Sequence, residues 1–204
     1  MIRALFLSFF GLYLVGCTTI TTPVTDYTLA LPDRGTDASA GSKSSLTLKM
    51  AGTKTIPSLS SKGLLYLTDH QEVGEYLYSR WSDVPSALID RSLAASINDS
   101  NLFSTLIPKT STVNADLLLE SSLSSFYHRI HEDKTSDAYI DITYLLIDQK
   151  TKKIIASKRF TITSPAPSMD AHGGVTALNN ATHALSNQCI AWLNLTMKEN
   201  KWIK

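Results

Sequence analysis

Two runs late in the chain place an apolar residue at almost every second position: Ala138, Ile140, Ile142, Tyr144 and Leu146, then Ile154, Ala156, Phe160 and Ile162. A period of two sends such side chains to one side of a β-strand, and no helix satisfies it. Between the runs lies the charged stretch Asp148-Gln149-Lys150-Thr151-Lys152-Lys153. The pair therefore reads as a β-hairpin with one buried and one wet face.

A buried sheet face needs a cover. From Val175 onward, Leu178, Ala181, Leu185, Cys189 and Trp192 recur at three- and four-residue steps, the period of an amphipathic helix. Leu88, Ile89, Leu93 and Ile97 form a second such stripe. Ser82 is its expected N-cap, with Asp83 and Pro85 suited to the first turn.

Further strands are expected where Leu46, Leu48 and Met50 alternate and where residues 64–67 are all apolar or aromatic. Val73, Leu77 and Trp81 should share one strand face, and a strand over 102–107 should end at Pro108. Residues 115–127 read as a long strand with Leu117, Leu119 and Leu123 facing one way. The order strands, helix, strands, helix gives an α+β fold: a two-layer domain, a largely antiparallel sheet with two main helices packed on one face.

The N-terminus has a different design. Arg3 precedes an apolar run from Ala4 to Val15 interrupted only by Ser8 and Gly11. At about twelve residues it falls short of the roughly twenty that span a bilayer, so residues 1–16 read as a signal peptide. Leu14-Val15-Gly16-Cys17 fits a lipoprotein lipobox, which makes Cys17 the expected lipidation site and first residue of the mature protein. Two or three acyl chains hold a protein firmly on a membrane where one holds it marginally. Thr18 in place of an Asp points to the outer membrane, with the domain facing the periplasm.

Residues 17–45 read as the lipidated cysteine, a polar tether and a short first strand in which Tyr27, Leu29 and Leu31 share one side; residues 46–204 form the domain. Cleavage removes one cation, Arg3, so the 18 remaining Lys and Arg balance the 18 Asp and Glu. A neutral domain offers no electrostatic reason to expect nucleic acid. Cys189 is then the single remaining thiol and is expected to be buried and unpaired.

No catalytic or cofactor motif emerges, and the chain reads as non-enzymatic with neither cofactor nor metal. His128 and His131, three apart on a strand, point to opposite faces and are expected at a solvated loop edge. His172 and His183, eleven apart on a helix, would lie about 16 Å apart, too far to share a metal. His172-Gly173-Gly174 reads as a flexible helix entrance, and Asp116 with Glu120 as part of a solvated strand face. The aromatic cluster Tyr76, Tyr78 and Trp81 is the candidate partner surface: Tyr76 and Tyr78 share the face opposite Trp81, and at least one face should be accessible unless both pack internally.

The lipobox, "DYTLALP", "TIPSLSSKGLLYL" and "EYLYSRWSDVPSALIDRSLAASI", read in order, resemble the ABC-type transport auxiliary lipoproteins. The matching positions are Cys17; Tyr27 and Leu29; Ile56, Pro57 and Leu59; and Trp81 and Pro85. The resemblance departs at "SLSSKG", Ser58 to Gly63, where family members more often carry an Asp-Arg pair. It implies an α/β domain working beside Mce-type proteins and ABC transporter subunits in intermembrane lipid transport, as a docking or ring-forming subunit, with a homo-oligomer among the expected assemblies. The alternative is an outer-membrane biogenesis lipoprotein that binds lipopolysaccharide or an assembly partner.

Overall fold

The computed structural model describes residues 22–31 and 44–203. Its elements are β1 (Thr25–Tyr27), β2 (Thr47–Thr55), a 3-10 turn (Pro57–Leu59), β3 (Gly63–Thr68), β4 (Val73–Trp81) and α1 (Pro85–Ser100). They continue with β5 (Thr105–Ile107), β6 (Leu117–Ile130), β7 (Ser136–Asp148), β8 (Ile154–Pro165) and α2 (Ala171–Glu199). The result is the expected two-layer α+β arrangement, with both helices on one face of an eight-stranded sheet.

The antiparallel meander β6–β7–β8 is its backbone. Alternation places Ala138, Ile140, Ile142, Tyr144 and Leu146 of β7 in the core, while residues 137, 139, 143 and 145 between them are only half-buried. In the turn to β8, the Asp148 carboxylate accepts the backbone N–H groups of Lys150 and Thr151, both at 2.8 Å, and so fixes the charged hairpin.

The other edge of β6 carries two strands in succession. β2 pairs in parallel with residues 117–123 and β3 in parallel with residues 128–130, with a register shift in β6 between Leu123 and Ser125. The sheet therefore forks: β5 extends the β2 branch, whereas β4 and β1 extend the β3 branch. Pairing is antiparallel within β6–β7–β8 and between β3 and β4, and parallel between β1 and β4, β2 and β5, β2 and β6, and β3 and β6.

α2 lies across β6, β7 and β8, and α1 across β2 and β5. The α2 stripe buries Leu178, Leu185, Cys189 and Leu193; each fully buried large aliphatic side chain contributes about 1.5–3 kcal/mol. The helix begins at Ala171, four residues before its apolar stripe, because Asp170 caps it by accepting the Gly173 N–H at 2.8 Å. Ser82 does not cap α1. Val84 is the cap residue and uses no side chain, Pro85 occupies the first turn, and Asn101 ends the helix in the left-handed conformation. Two other expectations fail locally: Leu102 and Phe103 are buried in a loop before the short β5, and Leu31 is exposed because β1 ends at Tyr27.

Candidate functional site

The expected aromatic surface is divided by an irregularity in β4. Gly63 of β3 faces Arg80, yet Leu65 faces Glu75, so two steps along β3 oppose five along β4. The extra residues bulge and reverse which side chains point inward. Trp81 enters the core, 1% exposed, with its ring 5.6 Å from that of Phe126. It is no part of an accessible surface, which corrects its place in the candidate set. Tyr76 is half-buried, Tyr78 remains exposed, and Leu77 is 82% exposed although alternation alone had grouped it with Trp81. β1 pairs with residues 79–81 of β4, so, among the described residues, positions 73–78 form an open strand edge.

Tyr76 has a separate role. Its hydroxyl lies 2.8 Å from Nδ1 of His128, which is 0% exposed and far from the solvated position expected of it. The β6 backbone continues past residue 127 with His128 turned toward the helices, and α2 closes over it. With His128 Nδ1–H donating to Tyr76 Oη, the tyrosine can donate to the Met169 carbonyl at 3.4 Å. His128 Nε2 then carries no proton and needs no acceptor, and its lone pair has no donor among the described residues. Burial holds the His128 pKa below the ordinary imidazole range and pushes that of Tyr76 up to about 12.

On the β2 branch, an apolar groove of about 340 Å³ runs between α1 and the β2–β5 edge. Its helix wall is the flank carrying Ala87, Arg91 and Ala94, whose small alanines leave the gap. Met50, Leu106 and Pro108 line the opposite wall. Gly52 adopts a left-handed φ of 89° where β2 bulges against β6, and Lys109 lies over it. A Cβ there would meet Lys109 Cδ at 3.3 Å. Beside it, Asp90 accepts both the N–H and the hydroxyl of Thr53, at 3.0 and 2.6 Å, which ties α1 to β2. The glycine inside "KMAGTK" was the sequence signal for this bulge; the groove itself, assembled from distant segments, had none.

The other titratable candidates occupy separate places. His131 Nδ1–H donates to the Asp69 carboxylate at 2.8 Å, which raises the histidine's pKa, and thereby joins the β3–β4 turn to the end of β6. His172 and His183 are held apart on α2. Asp116 accepts the N–H and hydroxyl of Thr47, each at 2.7 Å, an arrangement that lowers its pKa and fastens β2 to the start of β6. Glu120 is half-buried on β6. Cys189 is fully buried, and burial pushes its thiol up to about 12. Among the described residues no cluster of three metal-ligating side chains occurs, and no helix is long and apolar enough to cross a membrane. Cys17 and the residues around it lie outside the described residues.

The fold is similar to that of a solved protein from Xanthomonas campestris, with a TM-score of 0.79, 17% identity, and coverage of 87% of this chain and 99% of that one. A hypothetical protein from Chlamydia trachomatis matches with a TM-score of 0.54 and 11% identity, over 74% of this chain and 96% of that one. At these identities the likeness concerns the fold alone. No curated protein matches the sequence. The family described as the ABC-type transport auxiliary lipoprotein component matches residues 27–190, from the first strand into α2. On that match across most of its length, the chain belongs to the ABC-type transport auxiliary lipoprotein family.

Proposed function

We propose that this chain is a non-catalytic accessory lipoprotein of an ABC/Mce-type intermembrane lipid transport system, anchored in the outer membrane through Cys17 with its domain facing the periplasm. The observation that carries the reading is the family match over residues 27–190 directly behind a lipobox. Cys17 stands eight residues before Thr25, a stretch that reaches at most about 28 Å when extended, so the anchored domain would stay close to the bilayer.

Docking or ring formation is supported by open strand edges: among the described residues β8 pairs only with β7, and residues 73–78 of β4 have no outer neighbour. Free edges take up strands from other chains, and exposed Leu77 and Tyr78 would add apolar contact at the second of them. The test is photo-crosslinking in intact cells from a photoreactive amino acid at Tyr78, followed by mass spectrometry. Mce-type and ABC transporter subunits are the expected adducts; lipopolysaccharide-assembly proteins in their place would overturn the transport assignment. Cys17→Ala should leave an unprocessed precursor, and normal outer-membrane fractionation of that variant would refute the anchor.

A further inference from the structure

The geometry points to a lipid site on this subunit: the groove between α1 and the β2–β5 edge takes one acyl chain of an anionic lipid. This deepens the transport reading, on which it rests, by placing the class of cargo against particular residues.

The groove's volume of about 340 Å³ falls at the lower end of the roughly 300–1,000 Å³ typical of ligand sites, which suits one chain and not a whole two-chain lipid. Its walls are apolar side chains, Met50, Ala87, Ala94, Leu106 and Pro108, with polar groups confined to particular points. Such a distribution matches an amphiphile, whose chain needs apolar surface and whose headgroup needs a few placed polar partners.

Charge selects the headgroup. The acidic residue lining the groove, Asp90, is occupied through both oxygens by Thr53. The ion pairs among the described residues include neither Arg91 nor Lys109. Two cations, Arg91 and Lys109, thus outnumber the single carboxylate of the groove lining, which stays charged while it accepts from Thr53, and the excess positive charge favours an anion. Arg91 also donates to the Thr28 hydroxyl at 3.0 Å, so this rim of the groove adjoins the strand that leads back toward Cys17. A domain tethered there presents the groove where lipid is available.

The experiment uses the full-length lipoprotein in its native envelope. A photoreactive p-benzoylphenylalanine replaces Leu106 in the groove or, as a control, the exposed Leu195 of α2. After irradiation, lipid adducts are identified by mass, which separates a free fatty acid from an anionic phospholipid and both from zwitterionic lipid. We expect at least ten times more acyl adduct from position 106 than from 195, enriched in anionic species over their share of the membrane. Lys109→Glu, a change at an exposed residue, should reduce the anionic adducts at least fivefold, and Ala94→Phe should reduce all of them. Equal labelling at 106 and 195, or adducts insensitive to both substitutions, overturns the site; adducts without anionic enrichment overturn the headgroup assignment. Crosslinking to transporter subunits from position 78 is read in parallel: its loss with lipid labelling retained counts against the transport reading, and the reverse counts against the groove alone.

Discussion

Gly174→Ala tests the packing at the head of α2, because helix propensity and the surrounding structure predict opposite signs. Propensity favours alanine over glycine inside a helix by about 1 kcal/mol. The added Cβ, however, would stand 2.6 Å from His128 Nδ1 and 2.7 Å from its Cγ. His128 has no room to yield, being fully buried and held by Tyr76 at 2.8 Å. Overpacking of this kind costs about 1–3 kcal/mol, and displacing the imidazole would also sacrifice a hydrogen bond with a net contribution of about 1 kcal/mol. Less the propensity gain, the variant should be destabilised by about 1–3 kcal/mol, or about 0.5–1.5 M in urea midpoint at a typical slope near 2 kcal/mol/M. Equilibrium urea unfolding measures it. In a His128→Gly background, which removes the ring and also the His128 Cβ that would stand 2.9 Å away, the same substitution loses these clashes and should become neutral or stabilising, giving a coupling of about 2 kcal/mol. A more stable single variant, or no coupling in the double-mutant cycle, would refute the close approach of α2 to His128.

Tyr144→Phe should stabilise the domain or leave it unchanged within about 1 kcal/mol, since the buried hydroxyl it removes has no partner among the described residues; a loss above about 2 kcal/mol by urea unfolding would show that the hydroxyl is bonded. The histidines should act oppositely with pH. Burial lowers the folded-state pKa of His128, so below the usual imidazole value of about 6.5 the unfolded chain gains protons that the folded one refuses, and stability falls on acidification. Hydrogen bonding to Asp69 raises the folded-state pKa of His131, so its stabilisation is complete below about 6.5 and disappears as pH rises through the raised value. Thermal unfolding of His131→Gln against wild type should therefore show a difference at about pH 5.5 that closes by about pH 8.5, and a gap independent of pH would exclude the ion pair.

What the sequence revealed of this fold was its local periodicity. The β7–β8 hairpin and the α2 stripe were legible because alternation and helical spacing continue for ten residues or more. The head of α2 was not, because Gly173 and Gly174 look like a loop; their small size serves tight packing against Ser168 and His128. His128 itself looked like a solvated histidine, since its burial depends on Tyr76 and α2, 52 and more than 40 residues away in sequence. The split of Tyr76, Tyr78 and Trp81 was hidden for a related reason: alternation assumes an unbroken strand, and the bulge between Glu75 and Arg80 is expressed only in its pairing with β3. Likewise no short pattern states that β2 and β3 share one edge of β6.

That shared edge has a functional consequence. The groove depends on α1, β2 and β5, whereas the open edge containing Leu77 and Tyr78 depends on β3, β4 and the buried Tyr76–His128 pair. The branches meet along β6, on opposite sides of its register shift. Sites that share no partners and lie beyond about 7–10 Å act additively, so substitutions in one branch should leave the other intact. Lys109→Glu can therefore alter lipid contact without altering partner contact, and Leu77→Asp the reverse. If each change disturbed both crosslinks, the two branches would have to communicate through β6, and the forked sheet would be one cooperative surface.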